Sequence, residues 1–441
     1  MRLSQGPVWK TGAPGGLHAR AIGLRVFACA TPTGYVVMPG GLTRVATGSD
    51  ARIITMQRGG SSKDTWVQAS TKTESHNLLK RTTTSKDLVR DDTHLSSRMA
   101  ENLFWFGRSA ERCDNTARLL RLALNFLSNV VPANRGDEWP TIMALCSWFH
   151  LIELDDKKQS QEQSQTQSDD QNQSQTQSQS QSQSQDPEKI LSDEQIEAAL
   201  LSAVTSPDVP GLASQQQQLH RVAGQLSERF SVDNWRALNQ MAQKSAAPEQ
   251  ALSKSETMSV LDDATAALMT MTGFALDGMT RDLGWRFLSM GRRLERLQFQ
   301  SVALQRALSM GANGSLEWLL ELSDSIITYR ARYRAQPEWL PVLDLLLLDE
   351  SNPRSILFQL AGILKSLKKI AHTYGPCNEQ QLALLTAELQ ALEPDTDLYG
   401  NNTQLIDLLS RIQDASEILS EQISLQFFSH TGNHQQRSST L

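Results

Sequence analysis

Two stretches of the 441-residue chain repeat one set of spaced polar residues, and their chemistry suits the binding of anions. In "NLFWFGRSAERCDNTARLLR" (102–121), Arg108, Glu111, Arg112 and Asn115 follow one another at i, i+3, i+4 and i+7. This spacing places them on one face of a helix. Arginines arranged in this way can hold a carboxylate or phosphate bidentately, while a glutamate between them orients the guanidinium groups or binds an amine. We therefore take these four residues as candidate ligand-binding residues.

The second stretch, "WRFLSMGRRLERLQFQSVALQ" (285–305), contains the same motif of glycine, arginine, two other residues, glutamate and arginine. Its candidate ligand-binding residues are Arg292, Glu295 and Arg296, which follow Gly291 as the first set follows Gly107. Two copies predict an internal duplication, or two helices that face each other around a pseudo-two-fold axis. The alternative is that each copy is a surface ladder of ion pairs, which contributes only a few tenths of a kcal/mol per pair.

The first motif lies on an apolar stripe that predicts a helix packed against a core. Apolar or small residues recur every three or four positions: Leu103, Phe106, Ala110, Cys113, Ala117, Leu120 and Leu124. Gly107 interrupts this helix and costs about 1 kcal/mol relative to alanine. We expect the glycine to allow close helix packing or the approach of a ligand.

A third polar set lies in "SDSIITYRARYR" (323–334), just before a very apolar segment. Tyr329, Arg330 and Arg334 are its candidate ligand-binding residues, and the two arginines stand one helical turn apart. The alternative is a solvated basic end of a helix. The following "SNPRSI" (351–356) predicts a helix start, with Ser351 or Asn352 as its cap and Pro353 in its first turn.

Residue patterns predict a mainly α protein that begins with a short β segment. In residues 1–70, strands are predicted at 24–30 and 35–41, joined by a turn at "TPTG", with a third near 64–69. From Leu95 onward, 3.6-residue periodicity predicts a multi-helix bundle. After residue 189 the predicted helices are 190–204, 212–230, 232–243, 256–273, 280–309, 315–332, 338–349, 354–373, 378–392 and 402–428.

The predicted domain boundaries follow shifts in composition. Residues 1–70 form the β segment, 71–94 a Thr-, Lys- and Asp-rich linker, and 95–430 the helical domain. Residues 156–188 are dominated by Gln and Ser, and 431–441 form a polar tail. Both segments are predicted to be disordered, because they cannot bury enough apolar surface to offset the entropy of ordering.

Charge and cysteine content exclude several classes of function. The formal net charge is −6 and the pI about 5.8, so neither nucleic-acid nor membrane-surface binding is predicted. The four cysteines follow no metal-binding or CxxC spacing, and no metal site is predicted. The N-terminus has no apolar signal region, and reduced cysteines fit a cytoplasmic location.

Residues 95–430 resemble a known family of helical domains. The segments "LSSRMAENLFWFGRSAERCDNTARLLR" (95–121), "GMTRDLGWRFLSMGRRLER" (278–296) and the polar and apolar run 323–360 carry the likeness. They are similar to the alpha-E domain family, also known as DUF403, and this resemblance implies an all-helical fold. Asp114 stands where that family usually has a glutamate, and the Gln/Ser-rich insertion is not a family feature.

The first 70 residues resemble a different family. "LSQGPVW" (3–9), "LRVFACATPTGYVVMPGGLTRVA" (24–46) and "SSKDTWVQA" (61–69) are similar to the C-terminal end of circularly permuted ATP-grasp proteins of the DUF404/DUF407 type. The resemblance implies an amide-ligase setting, with ATP and Mg in the complete partner and with Arg25 and Arg44 facing the phosphates. The alternative for both arginines is ordinary charges on edge strands.

Some 70 residues cannot build a nucleotide cleft, so we expect this chain to ligate nothing by itself and to hold no cofactor alone. Three hypotheses of function follow. The chain is a non-catalytic partner of an ATP-grasp amide ligase, and its paired helices bind an acidic or peptide ligand or the ligase. Alternatively, it is an enzyme of the same pathway with Glu111 or Glu295 as general base, which requires a raised pKa. Alternatively, it is a purely structural interaction module.

Overall fold

A computed structural model describes most of the helical region and parts of the β segment. The described residues are 5–9, 17–31, 34–46, 61–68, 95–153, 191–226, 229–244, 252–310, 315–377 and 379–428. The chain divides into two compact units, Met1–Arg90 and Asp91–Leu441. The predicted linker 71–94, insertion 156–188 and tail 431–441 lie outside the described residues.

The first unit is antiparallel β structure. Its described strands are β1 (Gln5–Trp9), β2 (Leu17–Arg25), β3 (Ala28–Thr31), β4 (Gly34–Val37), β5 (Gly40–Val45) and β6 (Ser61–Trp66). One sheet has the order β1-β2-β5-β6, and β3 pairs with β4 in a separate hairpin. β3 ends at Thr31 and β4 begins at Gly34, on either side of the predicted turn at "TPTG", whose residues 32 and 33 lie outside the described residues. The strand predicted at 24–30 is wrong in its bounds, because the chain leaves β2 at Arg25 and starts β3 at Ala28. The strand predicted at 35–41 is wrong in the same way, because β4 ends at Val37 and β5 starts at Gly40.

The second unit is α-helical, as predicted. Its described α-helices are α1 (Ser97–Asn129), α2 (Glu138–Trp148), α3 (Asp193–Thr205), α4 (Leu212–Ala223), α5 (Val232–Lys244), α6 (Lys254–Asp277), α7 (Leu283–Leu308), α8 (Glu317–Leu322), α9 (Ile326–Tyr333), α10 (Trp339–Leu343), α11 (Ile356–Tyr374), α12 (Gln380–Gln390), α13 (Pro394–Asp397) and α14 (Thr403–Phe427). A π-helical turn, Asp344–Leu348, follows α10.

The two motif-bearing helices, α1 and α7, pack together at the centre of this unit, and α7 also packs on α11 and α14. Each helix begins at a side-chain cap. The Ser96 side chain accepts from the Met99 N–H, and the Asp282 carboxylate accepts from the Trp285 N–H at 2.7 Å. These caps satisfy backbone donors that the first helical turn leaves without partners. The apolar faces of both helices then form the core, in which Phe104 is fully buried.

The structure differs from the prediction of one helix over 315–332. Helices α8 and α9 are separate, and between them Asp324 adopts a left-handed backbone conformation with φ 51°. The Ser325 N–H donates to Leu320 O at 2.8 Å and the Asp324 N–H donates to Glu321 O at 3.0 Å. This is a Schellman-type helix end, in which the left-handed position is usually glycine. The turn therefore ends α8 although the sequence has no glycine or proline there to indicate a helix end.

The start of α11 also differs from its prediction. The capping residue is Ser355, whose hydroxyl accepts from the Phe358 N–H at 3.1 Å, rather than Ser351 or Asn352. Asn352 instead donates from its side chain to Leu345 O at 2.9 Å. Arg354 consequently lies just before the helix.

Thiol reactivity should follow burial in this fold. Burial raises the pKa of Cys146 to about 12 and raises the pKa of Cys113 well above its ordinary value, whereas Cys29 is exposed. Because the thiolate is the reactive form, iodoacetamide at pH 8 is expected to alkylate Cys29 in the folded chain. Cys113 and Cys146 should react only after denaturation, as peptide mass spectrometry can check. Rapid labelling of either buried thiol in the native protein would contradict this expectation.

Candidate functional site

Helices α1 and α7 approach most closely at the two motif glycines. A Cβ atom built on Gly107 would overlap the carbonyl oxygen of Leu288, and a Cβ atom built on Gly291 would overlap the carbonyl oxygen of Phe104. Each glycine therefore lies directly against the backbone of the other helix. The expectation that Gly107 allows close helix packing is confirmed.

The two motifs face each other in a parallel arrangement. Hydrogen bonds between motif residues join positions 181 to 187 residues apart along the chain. The start of α7 also lies beside the start of α1, because a Cβ atom built on Gly284 would contact the side chains of Leu103 and Leu95, while Gly291 lies further along, against the backbone of Phe104 and Arg108. Helices α1 and α7 therefore run in the same direction. The predicted pairing around a pseudo-two-fold axis is therefore confirmed, and each glutamate meets the arginines of the opposite helix.

Glu295 of α7 binds both motif arginines of α1. Arg112 donates to its two oxygens, at 2.6 Å from Nε to Oε1 and 3.0 Å from Nη2 to Oε2, and Arg108 Nε donates to Oε2 at 2.7 Å. Arg108 uses its other nitrogens as well, donating to Ser420 Oγ at 2.7 Å and Gln298 Oε1 at 2.6 Å. Arg108 is buried. All three of its nitrogens are thus occupied by residues of the protein.

Glu111 of α1 binds the motif arginines of α7 in the mirrored arrangement. Arg296 donates to both Glu111 oxygens, at 2.5 Å from Nε to Oε1 and 2.8 Å from Nη2 to Oε2. Arg292 donates only from Nη2, at 3.4 Å to Oε2. Among the described residues this is the one hydrogen bond of Arg292, whereas its counterpart Arg108 makes three. The Arg292 side chain is 16% exposed.

Further charged residues extend the cluster on the Glu111 side. Asp114 Oδ2 accepts from Arg118 Nε at 3.0 Å and from Arg354 Nη2 at 3.3 Å. Asp324 Oδ2 lies 3.3 Å from Arg118 Nη2 and 3.6 Å from Arg354 Nη2. Arg354 Nη1 is buried, makes no hydrogen bond within the described part of the chain, and lies 3.7 Å from Glu111 Oε1. We call the whole set the ion-pair cluster: Arg108, Glu111, Arg112, Asp114, Arg118, Arg292, Glu295, Arg296, Asp324 and Arg354.

Arginines outnumber carboxylates on both sides of this cluster. Two arginines face the single carboxylate of Glu295. On the other side, four arginines face the carboxylates of Glu111, Asp114 and Asp324. Buried ion pairs require good geometry and satisfied hydrogen bonds to offset desolvation. Across the whole cluster, six arginines face four carboxylates.

The arginines also hold Glu111 in its ionised form. Burial acts to raise its pKa, but the charges of Arg296, Arg292 and Arg354 outweigh this effect and lower the pKa to about 2. A general base working near neutral pH needs a pKa close to that pH. Both oxygens of Glu111 are also occupied by arginine donors. Its geometry and charge therefore suit the positioning of arginines and argue against proton abstraction.

The remaining candidates in the helical unit lie in different environments. Asn115 is buried, and its Nδ2 donates to no residue that the structure describes. Tyr329 is fully buried and donates to Gln336 O at 3.0 Å, which indicates a packing role. Arg330 is exposed and pairs with Glu317, while Arg334 is exposed at the left-handed end of α9. No described contact joins these last three residues to the ion-pair cluster.

The two candidate arginines of the first unit lie close together. In the antiparallel pair formed by β2 and β5, Arg25 is opposite Leu42 and Gly23 is opposite Arg44. Residues two apart on a strand share a face, so Arg25 and Arg44 are diagonal neighbours on one face of the sheet. Arg25 is exposed and Arg44 is half-buried. Their contact with phosphates stays a prediction.

Sequence reasoning missed Arg354, Asp324 and the partnership of Asp114 with Arg118. The last pair had a local signal, because acidic and basic residues four apart can bond on a helix. The other two residues come from loops that are distant in sequence, and only the tertiary fold brings them to the cluster.

A family model described as a predicted alpha-helical domain with a conserved ER motif matches residues 95–428. The chain belongs to this Alpha-E family. Glu111–Arg112 and Glu295–Arg296 are Glu-Arg pairs at the centre of the ion-pair cluster, which fits that description. The matched range ends close to the predicted bounds of the helical domain.

Relatives of this Alpha-E chain are found among mycobacterial proteins. The uncharacterized protein Mb2597 of Mycobacterium bovis is 24% identical over 432 residues, which cover 93% of this chain and 46% of that protein. The uncharacterized protein MT2643 of Mycobacterium tuberculosis matches to the same extent. The uncharacterized protein Mb2434c of Mycobacterium bovis is 45% identical over 69 residues, covering 16% of this chain and 12% of its own length. No solved structure matches the chain.

The Alpha-E chain spans about half the length of the first two relatives. Their match covers 93% of the chain, whereas the second unit, Asp91–Leu441, makes up only about four fifths of it. The match therefore extends into the first unit, so these relatives combine counterparts of both units in one polypeptide. Within the described part of the chain, no helix is both long and apolar enough to cross a membrane.

Proposed function

We propose that this Alpha-E chain is a non-catalytic partner of an ATP-grasp amide ligase and binds an acidic or peptide ligand through its ion-pair cluster. The observation that carries the proposal is the surplus of arginine in the cluster, together with the single weak hydrogen bond of Arg292. A guanidinium group presents five donors in a fixed fork that matches a carboxylate. Arg292 has two nitrogens, Nε and Nη1, that donate to no described residue, whereas each of the three nitrogens of Arg108 already donates to a residue of the protein.

A non-catalytic role is supported by the state of the glutamates. Glu111 is held ionised with its pKa lowered to about 2. The oxygens of Glu295 accept from Arg108 and Arg112. Carboxylates engaged in this way fix the arginines in position, so that the arginines are ready to receive an anion.

The identity of the partner rests on the first unit and on the longer relatives. The resemblance of residues 1–70 to the C-terminal end of ATP-grasp proteins suggests an amide-ligase setting. The mycobacterial relatives join counterparts of both units in one chain that is about twice as long. If the helical unit associates with the remainder of a ligase, the two chains together would contain the parts that those relatives contain in a single chain.

Replacing Arg292 with Ala is expected to weaken this association without unfolding the chain. Arg292 makes one hydrogen bond of 3.4 Å, so its loss leaves the packing of α1 and α7 largely intact. The tagged chain would be co-expressed with an ATP-grasp protein of its source organism. Co-purification and ATP-dependent amide formation would then be measured with added glutamate peptides. We expect a loss of about tenfold in either readout, equivalent to ~1.4 kcal/mol.

Arg330→Ala is the matched control, because Arg330 is an exposed arginine with a surface carboxylate partner outside the cluster. It should behave as the wild type in both assays. The proposal fails if no ATP-grasp protein associates with the wild-type chain. Equal effects of the two substitutions would instead favour a purely structural interaction module, in which no single cluster arginine has a role in recognition.

A further inference from the structure

The carboxylate of Asp324 occupies a position between two cluster arginines and remains open to solvent. Its Oδ2 lies 3.3 Å from Arg118 Nη2 and 3.6 Å from Arg354 Nη2. The Asp324 side chain is 51% exposed, whereas the Arg118 and Arg354 side chains are only 4% and 12% exposed. Asp324 is therefore the solvent-facing member of this group. A carboxylate arriving from solvent would meet the arginines where Asp324 now lies.

The two arginines are bound more firmly to another carboxylate. Asp114 holds Arg118 at 3.0 Å and Arg354 at 3.3 Å, and both distances are shorter than those to Asp324. Loss of the Asp324 contact would thus leave the arginines oriented by Asp114. Meanwhile Arg354 Nη1 is buried and has no hydrogen-bond partner among the described residues. An unsatisfied buried guanidinium nitrogen is unfavourable, and an additional acceptor would relieve it.

The residues on either side of Asp324 fix its backbone. Ser323 and Ser325 are fully or almost fully buried. The Ser323 hydroxyl donates to Gln300 Oε1 at 3.0 Å, and the Ser325 hydroxyl donates to Ser323 O at 3.0 Å. The side chain of Asp324 can therefore rotate away from the arginines while the turn keeps its shape.

The identity of the residue at this turn is also informative. Asp324 has φ 51° at the left-handed position of a helix end where glycine is usual. A residue with a Cβ atom is less favourable there than glycine, although aspartate tolerates the conformation better than most. The Asp324 side chain therefore has a role that glycine could not fill. Among the described residues, the only charged groups that its carboxylate contacts are Arg118 and Arg354.

We propose that Arg118 and Arg354 form a binding site for a carboxylate of an acidic peptide, and that Asp324 competes with the ligand for this site. The proposal rests on the acidic ligand in the proposed function and adds its position and its control. When the ligand carboxylate binds, Asp324 turns into solvent and Arg354 Nη1 gains an acceptor. Asp114 and Glu111 keep the arginines in place throughout, so the site is available without a change in helix packing.

The test uses the full chain and a fluorescein-labelled hexaglutamate peptide as the probe, at 50 mM NaCl. Asp324→Asn removes the competing charge and retains the size of the side chain. If Asp324 occupies the site about nine tenths of the time, its removal lowers the apparent Kd about tenfold. Fluorescence anisotropy measures this change. Unlabelled inorganic phosphate, added at equal ionic strength, reports whether the site prefers a carboxylate over a phosphate.

Asp407→Asn is the matched control, because Asp407 is also an exposed aspartate paired with an arginine, Arg411, and its replacement changes the net charge equally. It should leave the Kd within twofold of the wild type, since it lies on α14 outside the cluster. A gain of the same size in Asp407→Asn and Asp324→Asn would overturn the proposal, because net charge alone would then explain the result. So would an unchanged Kd in Asp324→Asn.

Two further measurements place the peptide at these arginines. The double variant Asp324→Asn, Arg354→Gln should lose the gain in affinity, and persistence of the gain would overturn the proposal. If this double variant does not fold, phenylglyoxal labelling of Asp324→Asn is the alternative measurement. Hexaglutamate should protect Arg354 from modification. Equal labelling of Arg354 with and without the peptide would overturn the proposed site. If hexaglutamate binds but no ligase co-purifies, only the proposed partnership with a ligase is refuted. If a ligase co-purifies but Asp324→Asn does not bind hexaglutamate more tightly, only the proposed site at Arg118 and Arg354 is refuted.

Discussion

Replacing Glu111 with Gln is expected to lower the free energy of unfolding by about 3–5 kcal/mol, because it leaves buried arginines without their counter-charge. Glu111 is 2% exposed and accepts from Arg296 and Arg292, with Arg354 close by. Glutamine keeps the shape of the side chain but brings no charge and places an amide group against guanidinium donors. Urea denaturation followed by far-UV circular dichroism measures the loss.

The matched control is Glu388→Gln on α12. Glu388 also binds an arginine through both oxygens, but it and Arg411 are each nearly half exposed. Exposed ion pairs contribute only about 0–1 kcal/mol. The chemistry of the two substitutions is the same and their burial differs. Equal losses in Glu111→Gln and Glu388→Gln would show that burial of the cluster has no energetic importance.

The acid stability of the wild-type chain reports the same interaction. Glu111 has a pKa of about 2 in the folded protein and an ordinary value of 4.5. Because the folded pKa is depressed, its contribution is fully present above pH 4.5 and is lost as the pH falls toward 2. This difference corresponds to about 3 kcal/mol. The pH profile of Glu111→Gln should be flatter by that amount between these limits, and parallel profiles would contradict the assignment.

The pairing of α1 with α7 could be predicted from sequence because its determinants are local. The apolar stripe around Leu103 and the spacing of Gly107, Arg108 and Glu111 can be read from one helix. The second copy, beginning at Gly291, indicates that the two helices meet. Glycine at matching positions carries further information, because it is unfavourable in a helix unless another backbone approaches. In the structure, both glycines lie against the opposite backbone.

The partners of the motif residues could not be predicted in the same way. Spacing shows which residues share a face, but it does not tell whether a glutamate binds a ligand or an arginine of the opposite helix. Asp324 reaches the cluster from the turn between α8 and α9, where sequence periodicity predicted an uninterrupted helix. Arg354 reaches it because Ser355, rather than Ser351 or Asn352, caps α11. The position of Arg354 depends on a choice among serines and an asparagine that are chemically similar as helix caps. The position of Asp324 depends on a left-handed helix end that has no glycine.

Some candidate residues lie in the ion-pair cluster and others lie elsewhere in the helical unit. Tyr329 and Arg330 belong to a polar run as dense as the helix motifs. However, Tyr329 packs inside the unit and Arg330 pairs with Glu317 at the surface. Density of polar residues is thus a weaker signal than repetition. The repeated motif identified the central residues, while the single basic run did not lead to a shared site.

Replacing Gly107 with Ala is expected to destabilise the chain by about 1–3 kcal/mol, although alanine is the better helix former by ~1 kcal/mol. The added methyl group would overlap the carbonyl oxygen of Leu288, a backbone atom that can yield only if α7 moves away from α1. Such a movement would also lengthen the ion pairs of Glu111 and Glu295. Gly291→Ala should have a similar effect, since its methyl group would overlap Phe104 O. Urea denaturation of each variant measures the change.

Gly273→Ala on α6 separates helix propensity from helix packing. A Cβ atom at Gly273 would have no neighbour within 4 Å outside its own helix among the described residues, so this substitution should stabilise the chain by up to ~1 kcal/mol. Opposite signs at Gly273 and Gly107 would establish that the motif glycine is retained for the close approach of two backbones. Stabilisation at both positions would refute the close crossing, and with it the geometry that holds each glutamate between the arginines of the opposite helix.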